Sequence, residues 1–121
     1  VSEAVIKAAV EGAEKYGAAL PAAAVTDTIK ICENGFVTST QDRNKLFAAQ
    51  TPQAFQSELI KAALSDAVEK GLELTDDCAA VERLGMKVRI VEGDSLNRKI
   101  TVPADLTVAE ALMRLRHTQE K

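Results

Sequence analysis

Three features of this sequence predict an α/β fold, a sheet covered by helices with one hairpin standing out from it. Helix-period and strand-like apolar runs alternate along the chain, the pattern of a sheet with helices packed on it. A two-residue turn, Asn34-Gly35, joins two runs of β-favouring residues within 25–43. No repeat, low-complexity segment or Gly/Ser linker divides the 121 residues, so they read as one unit with one protrusion.

Each element has a local reason. Ser2 is a helix cap, Glu3 falls in the first turn and Gly17 follows the last, which predicts a helix to about Tyr16. Val5, Ile6, Ala9, Val10 and Ala13 form its inward face. Residues 18–24 read as a short buried strand, and after the hairpin residues 46–50 read as another. Thr51-Pro52 predicts a helix start, with threonine as N-cap and proline at the first helical position. That helix runs to about Lys70, stops at Gly71 and turns Phe55, Leu59, Ala63 and Val68 inward. Thr75 before Asp76 and Asp77 predicts a second capped start, because acids in the first turn complement the helix dipole. This short helix ends at Gly85. Residues 88–91 form a strand and 99–101 can form another. Pro103 opens a last helix with Leu106, Ala109, Leu112 and Met113 inward.

Composition narrows the function. Hydrophobic residues are 46% of the chain but aromatics only 3%, so the core must be aliphatic. A net charge of −3 without a basic block argues against a nucleic-acid partner. No apolar run approaches the roughly 20 residues of a membrane span, and the longest, 18–25, is broken by Pro21. The first residues lack the basic and apolar stretches of a signal peptide. Cys32, Cys78 and His117 have no zinc-like spacing, so the cysteines are expected as reduced thiols of a cytoplasmic protein, and no metal ligand is assigned. His117, near the C-terminus, is expected to be solvated. The chain begins at Val1, directly in an amphipathic helix, and is expected to be part of a longer protein.

The hairpin carries polar residues on both faces. A two-residue turn pairs Glu33 with Phe36, and counting back puts Thr28 across from Gln41 and Thr26 across from Arg43. Thr26, Thr28 and Lys30 then share a face with Ser39, Gln41 and Arg43, and Thr28 and Arg43 are diagonal neighbours at the base of the arm. A one-residue bulge at the turn would shift this register. The simpler reading is a solvated hairpin, since threonine favours strands. The functional reading is a cluster of donors for an anion, because arginine forks onto phosphate oxygens and hydroxyls add hydrogen bonds. Ile29, Ile31 and Phe36 on the other face suit an arm that packs on another subunit.

Four segments, in order, carry a resemblance: PAAAVTDTIK (21–30), TQDRNKLFAAQTPQAF (40–55), TDDCAAVERLG (75–85) and VRIVEGDSLNRKITVPADLTVAEALM (88–113). Together they resemble the 2-C-methyl-D-erythritol 4-phosphate cytidylyltransferase family over nearly the whole chain. The resemblance implies a Rossmann-like nucleotidyltransferase sheet, with a β-arm at about 25–44 exchanged across a homodimer. It implies transfer of a cytidylyl group from CTP to a methylerythritol phosphate, with release of pyrophosphate, in non-mevalonate isoprenoid synthesis. Thr28 and Arg43 match the arm residues that reach into the partner's site to hold the acceptor phosphate. Thr51 and Thr75 match substrate-pocket threonines, and Lys99 matches the lysine set against the α-phosphate. Arg98 departs from the pattern, which carries an apolar residue between the asparagine and the lysine.

The resemblance also implies what lies elsewhere. The family's glycine-rich nucleotide loop and metal-side acids would precede Val1, and the six glycines here form no phosphate cradle. Residues 1–121 are therefore expected as the C-terminal portion of one nucleotidyltransferase domain, inactive alone. Mg²⁺ is expected to be held mainly by the CTP phosphates and the N-terminal half. Simpler readings stand beside these: Thr51 and Thr75 as helix caps, Asp76 and Asp77 as dipole partners, Lys99 as a solvated edge lysine. A D-ribitol 5-phosphate cytidylyltransferase, which shares similar segments, is the alternative enzyme. A dimerisation and substrate-arm module without activity is the alternative outside catalysis.

Overall fold

The computed structural model describes residues 1–94, 97 and 102–120, the last three by backbone only. Its elements are α1 (Glu3–Tyr16), β1 (Ala18–Ala24), β2 (Lys30–Glu33), β3 (Phe36–Thr40), a 3₁₀ turn (Arg43–Lys45), β4 (Phe47–Ala49), β5 (Ala54–Phe55), α2 (Ser57–Glu69), α3 (Asp77–Arg83), β6 (Arg89–Glu92) and α4 (Pro103–Glu120). The expected α/β class with its protruding hairpin is what the chain adopts. The expected strand at 99–101 lies outside the described residues.

β1 organises the sheet. It pairs in parallel with β6 on one edge and antiparallel with β4 and β5 on the other. Because side chains alternate along a strand, β1 serves two layers at once. Ala18 joins Ala63 of α2 and Ala80 and Val81 of α3 in the buried cluster, with Phe55, Leu59, Ile60 and Val88 packed around it. Ala19 faces the opposite way, toward α1: a Cβ on Gly12 would lie 2.8 Å from the Ala19 Cβ. Helices therefore cover both faces, and small residues set how closely they approach.

That small-residue packing explains where the expected helix faces fail. In α1, Val5, Ala9, Gly12 and Ala13 are buried, while Ile6 and Val10 stay exposed. The contact stripe runs through a glycine, which carries no hydrophobic signal. In α2, Ala63 and Ala67 face inward and Val68 is 81% exposed. Leu106 and Met113 of α4 are exposed too, with no described element over them. Pro103 does open α4, and Arg116 Nη1 ties its far end to the Val1 carbonyl at 3.1 Å.

Two predicted caps shift. Thr51 caps no helix: residues after it return to the sheet as β5, and α2 starts only at Ser57, after Gln56. Thr75 is not the cap of α3 either. Asp76 is, its Oδ1 accepting from the Ala79 amide at 2.8 Å.

The arm is a separate two-stranded ribbon, exposed along both strands. Asn34 and Gly35 both have positive φ, 51° and 83°, as the tight turn requires. Glu33 pairs with Phe36 as expected and Cys32 with Val37, but Ile31 then pairs with Ser39 and Lys30 with Thr40. The extra residue is Thr38, whose hydroxyl donates to the Ile31 carbonyl at 3.0 Å. The expected face therefore breaks past the bulge. Lys30 sits across from Thr40 and donates to its hydroxyl at 3.1 Å.

Candidate active site at the strand corner

The edge of β1 that faces β4 and β5 is not evenly filled. Ala22 pairs with Ala49 and Ala19 with Ala54, so three steps on β1 answer to five on the other strand. The Gln50 amide still donates to the Pro21 carbonyl at 2.9 Å, after which the chain leaves the ladder through the cis Thr51–Pro52 bond. This corner holds the candidate site.

Three carboxamides fasten the corner to its surroundings. Gln50 Oε1 accepts from the Asp94 amide at 3.2 Å while its Nε2 donates to the Asp94 carbonyl at 2.8 Å. Asn97 Nδ2 donates to the Thr51 carbonyl at 2.7 Å. Gln53 Nε2 donates to Asp76 Oδ2 at 3.0 Å and Gln53 Oε1 accepts from the Cys78 amide at 3.2 Å. Between them lies a cavity of about 220 Å³ lined by Ala49, Gln50, Thr51, Gln53, Thr75, Asp76 and Asn97.

The fold thus brings Thr51 and Thr75 to one cavity, although 24 positions separate them, because β5 and the first turn of α3 are bridged by Gln53. Neither Thr28 nor Arg43 lines that cavity; both lie in the segments flanking the arm. Both are exposed; the Arg43 guanidinium donates to the Thr26 carbonyl at 2.8 Å rather than to Thr28. Lys99 lies outside the described residues.

Electrostatics limit what the cavity does by itself. Its lining supplies hydroxyls, carboxamides and one carboxylate, with no cation among the described residues. The amides of Cys78 and Ala79 in the first turn of α3 already have partners, so this turn is not an open anion cradle. Both Asp76 oxygens are engaged, and no group of three His, Cys, Asp or Glu among the described residues is arranged to hold a metal ion. The Cys78 thiol is pushed up to about 12, first by burial and then by the Asp76, Glu82 and Asp77 carboxylates, so it stays protonated near neutral pH. A phosphate-bearing ligand here would need cations from other residues or another subunit.

Gln50, Gln53 and Asn97 are the site residues that sequence reasoning missed. The signal was present: the two glutamines bracket the Thr-Pro pair, and local capping chemistry drew attention to the threonine alone.

Comparison with known proteins bears on this geometry. A family profile described as 2-C-methyl-D-erythritol 4-phosphate cytidylyltransferase (IspD) matches residues 1–115. A protein of that name from Desulforamulus reducens is 46% identical over 118 residues, covering 97% of this chain and 50% of the relative. One from Caldanaerobacter subterraneus subsp. tengcongensis is 48% identical over 115 residues, covering 94% and 51%. The chain spans about half the length of the curated relatives it matches. The crystal structure of the Thermus thermophilus protein of the same name superposes with a TM-score of 0.83 at 39% identity, covering 94% of this chain and 56% of that one. The 4-diphosphocytidyl-2C-methyl-D-erythritol synthase of Anaerococcus prevotii superposes with a TM-score of 0.84 at 31% identity, covering 93% and 53%.

Proposed function

Because the chain belongs to the 2-C-methyl-D-erythritol 4-phosphate cytidylyltransferase family, we propose that the protein carrying it transfers a cytidylyl group from CTP to 2-C-methyl-D-erythritol 4-phosphate. The observation that carries this reading is the profile match across residues 1–115, which includes both threonines of the cavity and the arm. Residues 1–121 would form the C-terminal portion of one nucleotidyltransferase domain.

An oxygen of the acceptor phosphate attacks the α-phosphorus of CTP, forming the new O–P bond as the bond to pyrophosphate breaks. Such chemistry asks the protein for alignment and charge neutralisation rather than a covalent intermediate. Thr51 and Thr75 hold the acceptor in the cavity. Lys99 meets the charge that builds on the α-phosphate. The cation that the cavity lacks comes from the arm of a second subunit, where Arg43 forks onto the acceptor phosphate and Thr28 adds a hydroxyl. Burial of Ile31, Phe36 and Val37, exposed here, would accompany that homodimer. Mg²⁺ would neutralise the triphosphate. The described residues of this chain do not fit a metal site, so no step is assigned to the ion. No described helix is long and apolar enough to cross a membrane, and a cytoplasmic location goes with the reading.

The test is pyrophosphate release by the full-length protein with CTP and either 2-C-methyl-D-erythritol 4-phosphate or D-ribitol 5-phosphate. Efficient turnover of the erythritol acceptor supports the proposal. Preference for the ribitol acceptor, or no release with either, overturns it.

A further inference from the structure

Gln53 performs no step in this reaction, yet both polar atoms of its side chain are engaged beside the cavity. Its partners fix the orientation of its amide, since an N–H can meet only the oxygen and a carboxylate only the nitrogen. Asp76 passes the connection on by capping α3 through its other oxygen. One carboxamide therefore joins the strand corner, two residues past Thr51, to the helix start that directly follows Thr75. Hydrogen bonds to a charged acceptor are the stronger kind, so the bridge resists being pulled apart.

We propose that Gln53 is a positioning residue for acceptor recognition: by bridging the strand corner to α3, it holds Thr51 and Thr75 at the separation the acceptor requires. The inference rests on the acceptor-binding role proposed for those threonines. It makes a chemical demand that bulk packing does not. Gln53→Glu keeps the shape but cannot donate, and it sets a second carboxylate against Asp76. Asp76→Asn offers an N–H to an amide nitrogen, or forces the glutamine to turn and lose the Cys78 amide. The two together exchange the roles. Glutamate at 53 accepts from both the Cys78 amide and the asparagine at 76, whose oxygen still caps Ala79.

The test is steady-state kinetics of the full-length protein, with CTP and 2-C-methyl-D-erythritol 4-phosphate varied separately. Four proteins are compared: wild type, Gln53→Glu, Asp76→Asn and the double variant. Each single variant is expected to raise the acceptor KM about tenfold, the size of one lost hydrogen bond to a charged group, with the CTP KM within about twofold. The double variant is expected to return to within about threefold of wild type. Thermal unfolding of the same proteins ensures that the kinetics compare folded species. If a single variant does not fold, the folded double variant with a near-normal acceptor KM still reports the exchange. An active wild type whose single variants keep the acceptor KM, or a double variant no better than the worse single, overturns the positioning role alone. A wild type that turns over no acceptor overturns the functional reading and this inference with it.

Discussion

Cys78 and Cys32 occupy opposite environments. Cys78 is 3% exposed and its thiol is raised to about 12, whereas Cys32 is exposed on the arm. Near neutral pH, iodoacetamide is expected to spare Cys78 until the protein is unfolded. Mass spectrometry of the labelled peptides checks this, and fast labelling of Cys78 in the folded protein would contradict it. The shift also fixes a sign. A thiol that binds its proton more tightly when folded contributes stability that is full below its ordinary value of 9.0 and is lost as pH rises from there toward about 12. Cys78→Ala should therefore lose less stability between pH 9 and 10.5 than wild type, measured by urea unfolding. Lys99→Ala in the full-length protein should lower kcat by roughly 10²–10³ while changing the acceptor KM little. A normal kcat with weaker binding would remove Lys99 from the transition state. At this scale the sequence was a fair guide to residue type and a poor one to role. Aspartate outranks threonine as a cap, and of adjacent Thr75 and Asp76 it is the aspartate that accepts from the Ala79 amide.

At the scale of elements, α1 and β1 are held together by the absence of a side chain. Gly12 lies inside a helix, where exchange for alanine ordinarily gains about 1 kcal/mol from reduced chain entropy. Here the new Cβ would stand 2.8 Å from the Ala19 Cβ and 3.3 Å from Val91 Cγ1, and the first contact involves a strand residue that cannot swing away. Overpacking of this kind costs about 1–3 kcal/mol. Gly12→Ala is therefore expected to bring no gain and to destabilise by up to about 2 kcal/mol, read from the denaturant midpoint, and a gain in stability would contradict the packing described. The same contact explains why the inward face of α1 was only half legible: Val5, Ala9 and Ala13 announce themselves, and the glycine does not. The start of α2 was misread for a different reason. Thr51-Pro52 is a good local cap, but Ala54 and Phe55 gain ladder pairing with β1 that a helix would forfeit. In the arm, the Asn34-Gly35 turn was plain, whereas the Thr38 bulge depends on a hydroxyl finding the Ile31 carbonyl, which no periodicity encodes.

For the whole molecule, alternating apolar periods were enough for the α/β class and for a hairpin outside the core. The order of strands was not readable, because β1 meets β6 across more than 60 residues and short alanine-rich strands carry little to specify a neighbour. The gathering of Thr51 and Thr75 depended on that order and on the Gln53 bridge. One division remains within the subunit. The cavity has threonines and no described cation, while Arg43 stands by the arm, bonded to the Thr26 carbonyl. We propose that these halves meet between subunits of a cytidylyltransferase dimer. Subunit exchange between two inactive full-length variants, Arg43→Ala and Lys99→Ala, tests it most directly. In a mixed dimer, one site keeps its own Lys99 and receives an intact arm, and the other carries both defects. Half of a statistical mixture is mixed dimer, so independent sites should restore about a quarter of wild-type activity. No recovery, with mixed dimers confirmed by mass, would mean that Arg43 serves its own subunit.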